Sequence, residues 1–125
     1  MGVERGFWVA LAKSYGLTAD DAELFIETGL GIKRETAQAI LREVLQGVPV
    51  TTLARIDATA IAIAGEKDSR TVWRDSLTAL EPHAGVAIAP GMHHQWNIED
   101  AELFNQSLRV WLTSGEAASS LRTRI

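Results

Sequence analysis

The stretch Gly85 to Phe104, GVAIAPGMHHQWNIEDAELF, decides how this chain is read. Its opening residues are apolar and uncharged, Pro90-Gly91 stop them, and a histidine pair, His93-His94, follows at once. A short apolar run between turn signals reads as a buried strand, Val86 to Ala89. A helix start stands a few residues on at Glu99-Asp100, and Leu103, Phe104, Leu108 and Trp111 recur on its inner face. Histidine just past a buried strand suits chemistry, and it equally suits an ordinary polar loop. This stretch alone leaves both readings open.

Moving outward, Ala58 to Ala64 (ATAIAIA) is another short, uncharged run of small and β-branched residues. That is how a strand covered on both faces of a parallel sheet reads. Gly65-Glu-Lys-Asp68 ends it, and Asp68 or Ser69 caps a helix with apolar positions Trp73, Leu77 and Leu80. Pro82 and Gly85 close that helix, and His83 beside them reads as an exposed turn residue. With a brief helical turn over Leu53 to Ile56 at its start, the segment 53–112 reads strand, helix, strand, helix. The tail, 113–125, is polar and expected to fray.

A helical crossover is the connection that parallel strands require, and parallel strands end on one edge. Asp68 lies just past the first strand and His93-His94 just past the second, so direct pairing would bring an aspartate and a histidine out about 4.8 Å apart. Open α/β sheets bind their ligands at this edge. A carboxylate there can accept the imidazole Nδ1 hydrogen, fix the tautomer and stabilise the imidazolium formed at Nε2. The plainer reading makes Asp68 a helix cap and His94 a loop residue.

The segment 1–52 reads as helices. Phe7, Trp8, Leu11 and Tyr15 share a face before Gly16, and Thr18 to Asp21 has the form of a helix entry. Leu24, Phe25 and Ile26 supply contacts before a stop at Gly29, and Ala37, Ile40, Leu41, Val44 and Leu45 line a third helix that ends at Gly47. Gly29-Leu-Gly31 begins like a dinucleotide loop, but Arg34 stands where the third glycine belongs, so a helix-to-helix turn is read there. DAELF occurs at Asp21 and again at Asp100, between unrelated flanks, as two similar helix entries.

With 46% hydrophobic residues in 125, the chain can bury a core. Its net charge is −4 and its arginines are scattered among acids, which argues against nucleic acid and anionic membranes as partners. The absence of cysteine removes disulfides, thiolate nucleophiles and Cys-based zinc sites. Gly6 to Ala12 is too short for a signal peptide, no run is long enough to span a membrane, and a cytoplasmic location is expected. No metal is expected at the histidine pair, because neighbouring histidines on an extended loop rarely reach one ion.

The run IDATAIAIAGEKD, then a helix, then PHAGVAIAPGMHHQWNIEDAELF, resembles the C-terminal half of an α/β-hydrolase. That family's segment reads Ile-x-x-Pro-Thr-Leu-x-x-x-Gly-x-x-Asp, a helix, Pro-x-Ala, a strand, then Gly-x-Gly-His and Glu-x-Pro-x-x-Phe. The resemblance covers about residues 53 to 112 and implies a partial α/β-hydrolase fold. It implies that Asp68 is the triad acid and His94 the triad histidine, because His94 stands five residues before Glu99 as the family's histidine does before its glutamate. His93 then occupies a position where glycine is common. Thr59 and Ala101 replace the two prolines, which touches no chemistry. By position, the helices of 1–52 resemble the cap such enzymes insert before the acid strand.

The family's nucleophile sits on Gly-x-Ser-x-Gly at a strand-to-helix elbow, and that motif is absent here. Ala12-Lys-Ser14-Tyr-Gly16 is the nearest form, yet it follows a helical pattern, so Ser14 is not assigned as nucleophile and none is identified. Ser69, Ser76 and Ser107 belong to helix starts and faces. His93 and Trp96 are assigned to substrate contact, with packing over the histidine loop as the other use of Trp96. Trp8, Trp73 and Trp111 read as core.

The resemblance thus implies a chain that supplies the acid and base of an esterase-like serine hydrolase, without a cofactor, for a small ester-like substrate once a nucleophile half completes it. A non-catalytic binding or assembly module with the same fold is the alternative, and a hydrolase using Ser14 is a third reading. Without the earlier strand that the family pairs with Ala58 to Ala64, the sheet edge is expected to drive self-association.

Overall fold

β1 (Ile61–Gly65) and β2 (Gly85–Ala89) pair directly and in parallel, from Ile61↔Gly85 to Gly65↔Ala89. The computed structural model describes residues 4–47, 49, 52, 55, 57–68, 79–82 and 84–123. Side chains alternate between faces along each strand, and residues paired in register share a face. Ile63 therefore lies beside Ala87, whereas Ala62 and Ala64 lie beside Val86 and Ile88. Each bulky side chain has a small neighbour, and the order reverses between the two faces. On one face Ile61, Ile63, Ala87 and Ala89 meet Trp96, Phe104 and Leu121; on the other, Val86 and Ile88 meet Leu80.

The first strand is shorter than its apolar run. It begins at Ile61 because its partner begins at Gly85, whose amide donates to the Ala60 carbonyl at 2.9 Å; before Gly85 the chain is in a turn. Coverage is unequal as well. Val86 to Ala89 are buried, but Ile61 to Ala64 are half-buried, so β1 is not the doubly covered strand its composition suggests. Among the described residues no segment pairs with its outer edge.

After the histidine loop come α4 (Trp96–Glu99) and α5 (Ala101–Ser114). The Asp100 carboxylate accepts from the Leu103 amide at 2.9 Å and caps α5. Leu103, Phe104 and Val110 face the core, with Ser107 buried between them and its hydroxyl donating to the Leu103 carbonyl at 2.8 Å. Leu108, expected on this inner face, points outward.

From Thr113 to Thr123 the tail is docked and does not fray. Gly115, at φ 71, ends α5, and the chain returns so that Ala118 and Leu121 are buried. The backbone of Arg122 then exchanges two hydrogen bonds with Ile88, at 2.8 and 2.9 Å, forming an antiparallel bridge. A composition that is polar on average hides two apolar residues three apart, which suffice to dock it.

The chain divides into two compact units, Met1–Pro49 and Val50–Ile125, so the tail belongs to the second. The first contains α1 (Arg5–Ser14), α2 (Ala19–Leu30) and α3 (Arg34–Gln46). Gly29 lies inside α2 instead of ending it, and Gly31 is the cap. A Cβ on Gly29 would stand 2.6 Å from Trp8 Cε2 and nearer still to Cδ2, so the missing side chain is what seats that indole. Phe25 meets Trp8 edge-on at 5.9 Å, while Leu24 turns outward. The apolar stripe of α3 is largely exposed, with Leu45 at 84%. Among the described residues no helix is long and apolar enough to cross a membrane. The expected crossover helix falls mostly outside the described residues, as do Leu53, Ile56, Ser69, Trp73, Ser76, Leu77 and His83; Ala79 and Leu80 are helical.

These observations make the second unit mixed α/β, and its docked tail can be tested. Leu121→Ala, at a site 6% exposed, is expected to cost the second unit about 2–3 kcal/mol. Leu112→Ala, at a site 67% exposed, is expected to cost under about 0.5 kcal/mol. Urea unfolding followed by circular dichroism distinguishes this from a loose tail, for which both changes would be neutral.

Candidate functional site

At the carboxyl ends of β1 and β2 the chain leaves the sheet twice, and the two exits are fastened together. The Glu66 amide donates to the Ala89 carbonyl at 3.0 Å, and the Lys67 amide donates to the Met92 carbonyl at 2.7 Å. The Glu66 carboxylate accepts from the Gly91 amide at 2.7 Å and from the Arg122 guanidinium. Gly65 makes this closeness possible. A Cβ there would stand 2.6 Å from the Met92 carbonyl oxygen and nearer still to that of His93, so any side chain would push the histidine loop away.

Within this frame, His94 Nδ1 lies 2.7 Å from Asp68 Oδ2. A carboxylate only accepts, so Nδ1 carries the hydrogen, and in the neutral ring Nε2 is the basic nitrogen. The Asp68 side chain is 9% exposed and that of His94 32%, which places the carboxylate inside and the ring between protein and solvent. His93 takes a different partner. Its Nδ1 lies 2.8 Å from Glu99 Oε1, and its amide donates to Glu99 Oε2 at 2.7 Å. The two rings thus reach separate carboxylates.

The structure thus brings Asp68 and His94 together and ties His93 to Glu99. Trp96 is 7% exposed, sits among Ala87, Ala89 and Leu121, and meets Phe104 edge-on at 4.8 Å. It packs in the core, with its ring turned inward onto the sheet by α4. Ser14 lies in the last turn of α1, where its hydroxyl donates to the Leu11 carbonyl at 2.8 Å. That is a helical back-bond, without the strand-to-helix turn that a nucleophile of this kind occupies. Among the described residues, no group of three histidine, aspartate or glutamate side chains gathers in a way that could hold a metal ion.

Residue pattern did not single out Gly65, Glu66 or Arg122 as surroundings of this pair; it did mark His93 and Glu99, but not their bond to each other. Gly65 and Glu66 stand in the noted Gly-x-x-Asp run, so the signal for them was present in part. For Arg122 there was none, since it lies in a polar tail far along the chain. A hollow of about 430 Å³ opens at the opposite edge of the sheet, among Thr59, Ile61, Glu81, Gly85 and Glu116, and contains none of these residues. Comparison of the chain with protein-family models, with curated proteins and with solved structures finds no match.

The Gly91 amide, and after it the Arg122 guanidinium, hold the Glu66 carboxyl below its ordinary value of 4.5. A carboxyl depressed by folding stabilises the fold above its unfolded pKa, and that contribution is lost as pH falls through the folded value. The melting temperature of the chain is therefore expected to drop as pH is taken below 4.5, and the Glu66→Gln variant to show a shallower drop over the same window. Identical pH profiles for the two would remove Glu66 as a contributor.

Proposed function

We propose that this chain supplies the acid and the base of a serine hydrolase of the α/β-hydrolase kind, acting in the cytoplasm on ester or related bonds. The observation that carries the reading is the 2.7 Å bond from His94 Nδ1 to Asp68 at the shared carboxyl edge of two parallel strands. In this reading the serine comes from outside these 125 residues. His94 Nε2 takes the hydroxyl proton as the oxygen attacks the ester carbonyl, and Asp68 stabilises the imidazolium. His94 then returns the proton to the departing alkoxide, and the cycle repeats with water as the acceptor. His93, held by Glu99, borders the substrate, and α1 to α3 act as the cap.

The assay is hydrolysis of p-nitrophenyl butyrate by the chain alone and by the chain expressed with the reading frame upstream of Met1. The chain alone is expected to be inactive and unlabelled by a fluorophosphonate. The completed protein is expected to turn over, and His94→Ala to lower kcat on the order of 10²- to 10⁴-fold. Turnover that survives His94→Ala would sink the reading, and absence of turnover in every completed form would leave a binding or assembly role for the same fold.

That no segment among the described residues pairs with the outer edge of β1 supports a second expectation. Unpaired strand edges template further pairing, so the chain without its complement is expected to self-associate. Sedimentation velocity over a concentration series tests this, and a monomer at every concentration would count against it.

A further inference from the structure

The C-terminal segment reaches the acid loop through one side chain. Arg122 is fixed by its backbone to Ile88 in β2, and its guanidinium bonds Glu66, two residues before Asp68. The other oxygen of Glu66 holds the Gly91 amide, three residues before His94. One carboxylate therefore touches the loop that carries the acid, the loop that carries the histidine, and the returning tail. We propose that the tail is a strap and that Glu66 is a positioning residue, which together set the distance between Asp68 and His94.

Sequence separation gives the strap its use. Asp68 and His94 lie on separate loops, and the Glu66 and Lys67 amides bond backbone to backbone across them. Two further contacts of Glu66 close the same seam from the side chain, and the guanidinium is anchored to the sheet instead of to either loop. Loosening the strap lets the loops part without unfolding the sheet or the Trp96–Phe104 core, because neither of these uses the Glu66 carboxylate. The inference deepens the hydrolase reading and rests on it only for what the pair is used for; the positioning itself is read on the chain alone.

The test is ring-nitrogen and amide NMR on the full 125-residue chain. In the unaltered chain, His94 is expected as the Nδ1–H tautomer with a downfield, slowly exchanging ring proton, and Asp68→Asn marks its complete loss. Glu66→Ala is expected to give a mixture of tautomers at His94 and to quicken exchange at the Lys67 amide about tenfold or more. The ring-shifted signals around Trp96 should stay in place. Arg122→Met, which keeps the stem and the Ile88 bridge, is expected to move His94 in the same direction by less. Glu66→Gln, which keeps an acceptor for Gly91, is expected to recover part of the Lys67 protection. An unaltered His94 tautomer in folded Glu66→Ala overturns the strap. If that variant does not fold, an unaltered tautomer in both Arg122→Met and Glu66→Gln does so. A chain whose His94 never shows the Nδ1–H tautomer overturns the strap and the hydrolase reading together. A strap effect without turnover in the completed protein removes the hydrolase reading only.

Discussion

Parallel pairing of β1 with β2 forces both carboxyl ends onto one edge, where two backbones must turn away within a few ångströms of each other. Such crowding is tolerable only if one of them carries no side chain, and Gly65 meets that condition against the carbonyls of Met92 and His93. The hydrogen bonds from Glu66 and Lys67 to the opposite loop depend on the same closeness, and so does the contact between Asp68 and His94. The geometry of the edge follows from register and one missing Cβ. The side chains that give it chemical character are added to that frame.

Three carboxylates gather at this edge, and each is supplied with its own donors. Glu66 takes a backbone amide and a guanidinium, Asp68 takes the ring of His94, and Glu99 takes the ring and amide of His93. The result is an acidic edge with two imidazoles whose Nδ1 atoms are both engaged. Proton exchange at either ring in its neutral form therefore falls to Nε2.

Much of this architecture is readable from residues in order. Short uncharged runs at Ala58–Ala64 and Val86–Ala89 mark the strands, and a helix-length gap between them marks parallel pairing. Once the strands are adjacent, the nearness of Asp68 and His94 follows from their positions just past the ends. What residue order does not convey is anything decided by a partner distant in sequence. The docking of Leu121 depends on a core built by β2 and α5, and the reach of Arg122 to Glu66 depends on the bridge at Ile88. The same holds for Trp96, whose place is set by the face that α4 presents to the sheet, and for Gly29, which no local rule separates from a helix stop. Helical spacing likewise overstated Leu24 and Leu108, because it names a stripe without saying how wide the covering surface is.

The antiparallel bridge at Ile88 and Arg122 bears on the order in which the chain is made. Translation proceeds from the N-terminus, at about 5–20 residues per second, so both loops are synthesised before the segment that fastens them. Over that interval the acid and histidine loops have their backbone bonds available but lack the guanidinium partner of Glu66. The segment that closes the edge is thus the last of the three to be made, and Glu66 has no guanidinium partner from Arg122 until then.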